Sequence, residues 1–241
     1  MGAVLEAREL SKNFGPVEAL SKLDLSVAEG EIVCLLGANG AGKTTTINLF
    51  LGFLTPSSGE ALVLGAPACR APRAARNALA YVPEDVALYP QLTGVENFQF
   101  LHALSGQPKL GRTDSLLLLQ AAGLDERAAN RRVSSYSKGM RQKVALAAAF
   151  ARSAKAWLLD EPTSGLDPHA ANELSAALRH AAASGVAILM ATHDIFRARD
   201  LAMRIGIMKH GRLVQLIDPK TLDHAALEAL YVDHMREEKA A

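Results

Sequence analysis

Cysteine is almost missing from this chain: Cys34 and Cys69 are the only two. Two thiols cannot build a disulfide framework or a cysteine-rich metal site, so a reducing, cytoplasmic compartment is expected. An excess of one charge is missing as well. With 26 basic and 25 acidic residues the formal net charge is +1, and no global field draws the chain onto nucleic acid or an anionic membrane. Nucleic acid is not an expected partner. Long apolar runs are absent too. A helical span needs about 20 apolar residues, whereas the longest clean run, Val144 to Ala151, is closed by Lys143 and Arg152 and reads as a core helix. The opening Met1–Glu9 is interrupted by Glu6, so neither a signal peptide nor a myristoylation site is expected there. A role at a membrane would need a partner to hold the protein there.

What is present is an ordinary globular composition. Hydrophobic residues make up 49% and charged residues 21% of 241 residues, enough for one or two domains with a sizeable core. Strand-like and helix-like segments alternate, which predicts an α/β fold. Buried strands are expected at Glu31–Leu36 and Val186–Ala191, a further strand at Ala156–Asp160, and short ones at Ala61–Leu64 and Ala80–Val82. Helices are expected at Thr44–Leu51, Gly94–Leu104, Thr113–Ala122, Ser137–Arg152 and Ala170–Ser184. Arg204–Lys209 and Arg212–Ile217 flank His210-Gly211, a hairpin turn. The domain reading is a sheet core over 1–85 and 153–220, a helical subdomain over 86–152, and a C-terminal helix over 221–241 with a charged end. No internal repeat, low-complexity tract or linker is visible.

Gly37-Ala38-Asn39-Gly40-Ala41-Gly42-Lys43-Thr44 follows a buried strand and opens a helix. This is the full phosphate-loop pattern. Small residues let backbone N–H groups wrap an anion, and the helix N-terminus adds its dipole. Lys43 supplies a point charge at the β- and γ-phosphates. The Thr44 hydroxyl is a natural Mg²⁺ ligand, and Thr45 can add a hydrogen bond to phosphate. No Asn-Lys-x-Asp guanine reader occurs, which argues against a GTPase.

Trp157-Leu158-Leu159-Asp160-Glu161 is an apolar strand ending in two acids. Neighbouring side chains on a strand point differently. Asp160 can therefore face Mg²⁺ while Glu161, past the strand end, orients or deprotonates the attacking water. Pro162-Thr163-Ser164-Gly165-Leu166-Asp167-Pro168 follows as a rigid loop displaying Asp167. His193 ends the next strand, where it can reach a γ-phosphate. The other six histidines show no metal-ligand spacing.

Tyr136-Ser137-Lys138-Gly139-Met140, lying between the phosphate loop and the acidic pair, resembles the signature motif of ABC-transporter ATPase subunits. The order of phosphate loop, signature, acidic pair, aspartate loop and histidine is that family's order, and the resemblance covers nearly the whole chain. It implies a phosphate-loop NTPase fold: a mainly parallel sheet core, an antiparallel β subdomain and an inserted α-helical subdomain. It further implies that Ser137 and Gly139 bind the γ-phosphate held by a second copy, so that two subunits sandwich two ATP molecules with Mg²⁺. Asp167 belongs to the same nucleotide site. Phe14 matches the aromatic that stacks on adenine. Glu84 stands where glutamine is usual; it is either an oxygen ligand to Mg²⁺ or water, or only the hinge between the sheet and helical subdomains. Tyr136, Lys138 and Met140 depart from the commonest leucine, glycine and glutamine, while Ser137 and Gly139 are kept.

The variant signature is similar to an exporter-type subgroup with separate ATPase and membrane chains. Within it, Pro83–Gly94 resembles the ATPase subunit serving maturation of the copper enzyme nitrous-oxide reductase. The implied partners are a second ATPase subunit and a polytopic membrane subunit gripped near Glu84 and the inserted helices, which places the chain peripherally on the cytoplasmic face of the membrane. The alternative is a soluble ABC-type ATPase of translation or DNA repair. Such relatives usually carry fused ATPase units, coiled-coil insertions or zinc-binding cysteines, none of which is seen in this sequence.

Overall fold

A computed structural model describes residues 2–70 and 77–235. The charged end expected beyond the last helix lies outside these residues, as do Met1 and 71–76.

Two sheets organise the chain. The first contains β1 (Ala3–Phe14), β2 (Val17–Ala28), β4 (Ser58–Val63) and β5 (Ala66–Pro67), all antiparallel in the order β2-β1-β4-β5. The second contains β3 (Ile32–Leu36), β6 (Leu79–Val82), β7 (Ala156–Asp160), β8 (Ala187–Thr192), β9 (Arg204–Lys209) and β10 (Arg212–Ile217). Its order is β10-β9-β3-β8-β7-β6, parallel except for the β9–β10 hairpin. His210 and Gly211 close that hairpin with φ of 47° and 76°, the left-handed pair a tight two-residue turn requires. The expected α/β class with a mainly parallel core and an antiparallel part is what the chain forms.

The central strands β3, β7 and β8 are buried along their whole length. Layers cover both faces, so the strands read as continuous apolar runs instead of alternating ones. Their side chains still alternate between two cores. Ile32, Cys34, Leu36, Ile188 and Met190 share one cluster with Trp157 and Leu159; Val33, Leu35, Leu158 and Leu189 share the other with Ile47, Leu49 and Phe50. Burial pushes the Cys34 thiol far up, so this cysteine is an inert core residue.

Helix α1 (Lys43–Phe50) follows β3 and packs into the second cluster. Between β6 and its parallel neighbour β7 the chain inserts α2 (Gly94–Leu104), α3 (Arg112–Ala121), α4 (Glu126–Ala129) and α5 (Lys138–Ala151). Thr93 and Glu96 form a reciprocal capping box that starts α2, and Ser137 caps α5 by accepting from the Met140 amide. The rest of the helical layer is α6 (Pro168–Ala183), α7 (Ile195–Leu201) and α8 (His224–Met235). Val144–Ala151 is the second half of α5, a core helix as its apolar run predicts.

Two differences from the sequence reading stand out. β4 starts at Ser58 instead of Ala61, because Ser58 pairs with Ser11 across a register shift. The long β1–β2 hairpin was not located in the sequence, for its register slips repeatedly between Ala3 and Asn13 and blurs the two-residue alternation. The C-terminal ends of β3, β7 and β8 lie side by side, where an open parallel sheet places its ligand crevice.

Candidate nucleotide site

The loop after β3 is shaped by backbone contacts that only glycine permits. A Cβ on Gly37 would lie 2.5 Å from the Met208 carbonyl oxygen. Gly42 has φ of 100°, and a Cβ there would lie 2.7 Å from the Ala19 carbonyl oxygen. Gly42 is also the N-cap of α1, with no side-chain cap. The first i→i−4 bond runs from the Thr46 amide to the Gly42 carbonyl, so the amides of Lys43, Thr44 and Thr45 remain free to meet an anion. Ala38, Asn39 and Gly40 are exposed at the crest of the loop, whereas Ala41 is buried beneath it.

Lys43 is almost fully buried. Its ammonium donates to the carbonyls of Gly37 at 2.6 Å and Ala38 at 3.1 Å, and lies 3.5 Å from Glu161 Oε1. One turn of helix carries both this cation and the Thr44 hydroxyl, which donates to Asp160 Oδ1 at 3.2 Å. Asp160 is the last residue of β7. Burial, more than any other influence, raises its carboxyl above the usual range; the Thr44 hydrogen bond opposes this, and the Glu161 charge adds to it.

Glu161 follows with φ of 46°, a left-handed backbone that costs a non-glycine residue about 1–3 kcal/mol. The turn is held by the Glu161 amide donating to Ala191 at 2.9 Å and by Ser164 donating back to the Glu161 carbonyl at 3.0 Å. It aims the carboxylate sideways along the sheet. Oε2 lies 2.9 Å from His193 Nδ1 and accepts from the His193 amide at 3.3 Å. Oε1 is buried with no hydrogen-bond donor, facing only the Lys43 ammonium. Lys43, Glu161 and His193 thus come together from the segments that follow three adjacent strands, β3, β7 and β8.

Thr44 and Asp160 suit Mg²⁺. Both are hard oxygen donors. Their 3.2 Å separation is close to the roughly 3 Å between neighbouring oxygens around an octahedral ion with bonds of about 2.1 Å. Among the described residues no group of three or more His, Cys, Asp or Glu could hold a metal alone, so phosphate and water would complete the shell.

Other expected site residues lie outside this hydrogen-bonded cluster. Phe14, at the end of β1, is 47% exposed, and the Lys12 ammonium sits 5.1 Å above its ring. Ser137 and Gly139 stand at the start of α5, where Gly139 faces Leu166 and Ala170. Asp167 caps α6, accepting from the Ala170 amide at 3.0 Å; that hydrogen bond holds its carboxyl below the usual range. Glu84 accepts from the Ser164 hydroxyl at 3.0 Å and lies 3.6 Å from Lys138 Nζ.

The profile of the family described as ABC transporter matches residues 20–164, more than half of the chain. The chain belongs to the ABC transporter ATP-binding family. This ATP-binding cassette is 33% identical over 219 residues to the probable multidrug ABC transporter ATP-binding protein YbhF of Escherichia coli (strain K12). That match covers 91% of this cassette and 38% of the relative, so the cassette spans well under half of that protein's length. A solved ATP-binding subunit of an ABC transporter superposes with a TM-score of 0.83 at 32% identity, covering 97% of the cassette and 100% of that chain. The dimeric post-hydrolysis structure of the ATP-binding cassette MJ0796 bound to ADP and Pi superposes with a TM-score of 0.80 at 27% identity, over 89% and 98% of the two chains.

Sequence reasoning missed three residues that tie the cassette's loops together. Gln142, buried in α5, donates to the carbonyls of Pro162 at 3.2 Å and Pro83 at 3.5 Å. Ser164 and Lys138 both meet Glu84. A signal for the last contact was present: Glu84 and Lys138 are both departures from the family pattern, and they carry opposite charges.

Proposed function

We propose that this chain is the ATP-hydrolysing subunit of an ABC transporter, closing as a dimer around two ATP molecules and driving a separate membrane subunit. The observation that carries the reading is the convergence of Lys43, Glu161 and His193 beside the Thr44–Asp160 pair. In this reading the free amides of Lys43, Thr44 and Thr45, with the Gly37–Gly42 loop, hold the phosphates. Lys43 and His193 fix the γ-phosphate. Glu161 takes a proton from the water attacking the γ-phosphorus, while the β-phosphate oxygen leaves with ADP. Bound at Thr44 and Asp160, Mg²⁺ would neutralise charge on the β- and γ-phosphates. Phe14 stacks on the adenine. Ser137 and Gly139 at the α5 N-terminus, with Asp167, complete the site of the second copy.

A groove supports the membrane partner. Tyr81, Val86, Ala87, Leu101 and Arg152 line a cavity of about 320 Å³ between β6 and the inserted helices. Phe53 and Leu104, both exposed, line the neighbouring depression. No helix among the described residues is long and apolar enough to cross a membrane. A cytoplasmic segment of a polytopic subunit is the occupant that fits this reading, with the helical subdomain over 86–152 moving on the sheet core. The likeness of the variant signature Tyr136–Met140 to an exporter-type subgroup supports an exporter, and the choice of cargo then rests with the membrane subunit.

The test is purification from native membranes with an ATPase assay. Co-elution with a polytopic membrane protein and Mg²⁺-dependent ATP turnover are expected. A chain that never co-purifies with such a protein, and whose turnover answers to ribosomes or DNA, would overturn the transport role.

A further inference from the structure

Tyr136 is held at every polar group it owns. It lies between a single 3₁₀ turn, Val133–Ser135, and Ser137, the N-cap of α5. Its amide donates to the Val133 carbonyl at 2.9 Å. Its carbonyl accepts from Nη1 of Arg141, in the first turn of α5, at 2.9 Å. Its hydroxyl donates to the carbonyl of Ala128, in α4, at 2.7 Å. The ring is buried in the core cluster that the inserted helices share with the sheet. Ser137, the next residue, is exposed, and its Oγ accepts from the Met140 amide at 3.2 Å.

The hydroxyl end of the ring has a seat cut for it. Gly94 opens α2, and a Cβ there would run into the Tyr136 hydroxyl oxygen and lie 3.1 Å from its Cζ. Gly94 is outside the left-handed region, so its backbone does not call for glycine; the tyrosine does. Tyr136 and Gly94 are a fitted pair. A leucine at 136 would fill the core, but it has no hydroxyl to reach Ala128 and would leave a gap over Gly94. We propose that Tyr136 is a positioning residue for Ser137: its hydroxyl, bonded to Ala128 and seated on Gly94, sets the angle at which the α5 N-terminus is presented to the nucleotide of the second copy.

The inference rests on the reading of Ser137 as part of the second copy's site, and the experiment separates the two. The full-length protein is studied in the Glu161→Gln background. Its Mg·ATP-dependent dimerisation is measured by sedimentation velocity, and the affinity of the dilute monomer for a fluorescent ATP analogue by titration. Ser137→Ala is the reference and is expected to weaken the dimer about tenfold, the factor of a hydrogen bond to a charged group. Tyr136→Phe should weaken the dimer about threefold, the factor of a neutral hydrogen bond, with the monomer's affinity unchanged. The Ala128 carbonyl keeps the Arg131 amide at 2.9 Å, so removing the hydroxyl strands no partner and the fold is preserved. Gly94→Ala should weaken the dimer more than Tyr136→Phe, because its methyl pushes the hydroxyl aside. The double variant Gly94→Ala, Tyr136→Phe should dimerise as Tyr136→Phe does; additive losses overturn the fitted pair. The Tyr136→Phe result decides the positioning role even where Gly94→Ala fails to fold. A Tyr136→Phe protein that dimerises like its parent, or that loses dimer and analogue affinity in equal measure, overturns that role while the Ser137→Ala loss still upholds the site. A parent that forms no dimer with Mg·ATP, or a Ser137→Ala protein that dimerises as well as its parent, overturns the site reading itself and the positioning role with it.

Discussion

His193 Nδ1 lies 2.9 Å from Glu161 Oε2, although the two residues follow different strands, β8 and β7. The contact orients the glutamate through one oxygen and leaves the other facing Lys43. A carboxylate fixed at one end, with its second oxygen free of hydrogen bonds, is placed to accept a proton. Glu161→Gln is expected to keep Mg·ATP binding and to lower steady-state ATP turnover by about 10²–10⁴-fold. The trapped ATP should hold a stable dimer, visible by size exclusion with multi-angle scattering. Wild-type turnover in this variant would remove the general base from the mechanism.

Lys43 is argued to serve phosphate, yet within this structure it also compensates a buried acid. Glu161 is about as deeply buried as Lys43 itself. Replacing Lys43 by methionine leaves that carboxylate without its cation, at a cost of about 1–3 kcal/mol. Lys43→Met should therefore lose nucleotide binding and also melt earlier without nucleotide. The double variant Lys43→Met, Glu161→Gln should recover part of the lost stability and none of the binding. Urea unfolding of the four proteins checks both halves; additive losses would show that the pair is not coupled.

Much of the site was legible because its chemistry is local. Gly37–Thr44 and Trp157–Glu161 each occupy one strand end, so their roles follow from a few consecutive residues and the period of a strand. The boundaries of β7, β9, β10 and α2 were legible for the same reason: apolar runs, capping residues and a His-Gly turn lie next to each other in sequence. What the sequence did not show is contact across distance. Glu84, Lys138 and Ser164 meet only after the inserted helices return the chain to the sheet. The β1–β2 hairpin was obscured by its own register shifts.

The glycines of the phosphate loop are not equivalent. Gly42→Ala combines a positive φ with a Cβ 2.7 Å from a backbone carbonyl that cannot swing away. It should destabilise the protein by about 1–3 kcal/mol and abolish nucleotide binding. Gly40 has φ of 81° but open space around it, so Gly40→Ala carries only the left-handed penalty, about 1–2 kcal/mol at most. Its main effect should be on affinity, because the methyl stands at the exposed crest where the phosphates approach. Chemical denaturation and nucleotide titration of both variants would separate fold from binding. An equal loss of stability would mean that the Ala19 contact does not matter.

The pair Glu31–Arg204 sets part of the pH dependence of stability. Arg204 Nε donates to Glu31 Oε1 at 2.5 Å, and its Nη2 donates to Oε2 at 2.9 Å and to the Ser26 carbonyl at 2.6 Å. The Ala28 amide donates to Oε2 at 2.8 Å. Burial is the largest single influence on the Glu31 carboxyl and pulls it upward. The Arg204 hydrogen bond, the Ala28 amide and the Arg204 charge together outweigh it, so the carboxyl sits below its ordinary value. A group whose folded value is depressed contributes stability above its unfolded value, near 4.5, and loses it as pH falls through the folded value. Glu31→Gln should therefore cost about 1–3 kcal/mol at pH 7, where one partner of a largely buried charged hydrogen bond is lost. The gap to wild type should narrow as the pH is lowered from 5 toward 3, because protonation then removes the same charge from the wild type. Urea unfolding at pH 7, 5 and 3 measures this gap. A constant difference across that range would mean that the Glu31 charge plays no part in joining the entry of β3 to β9.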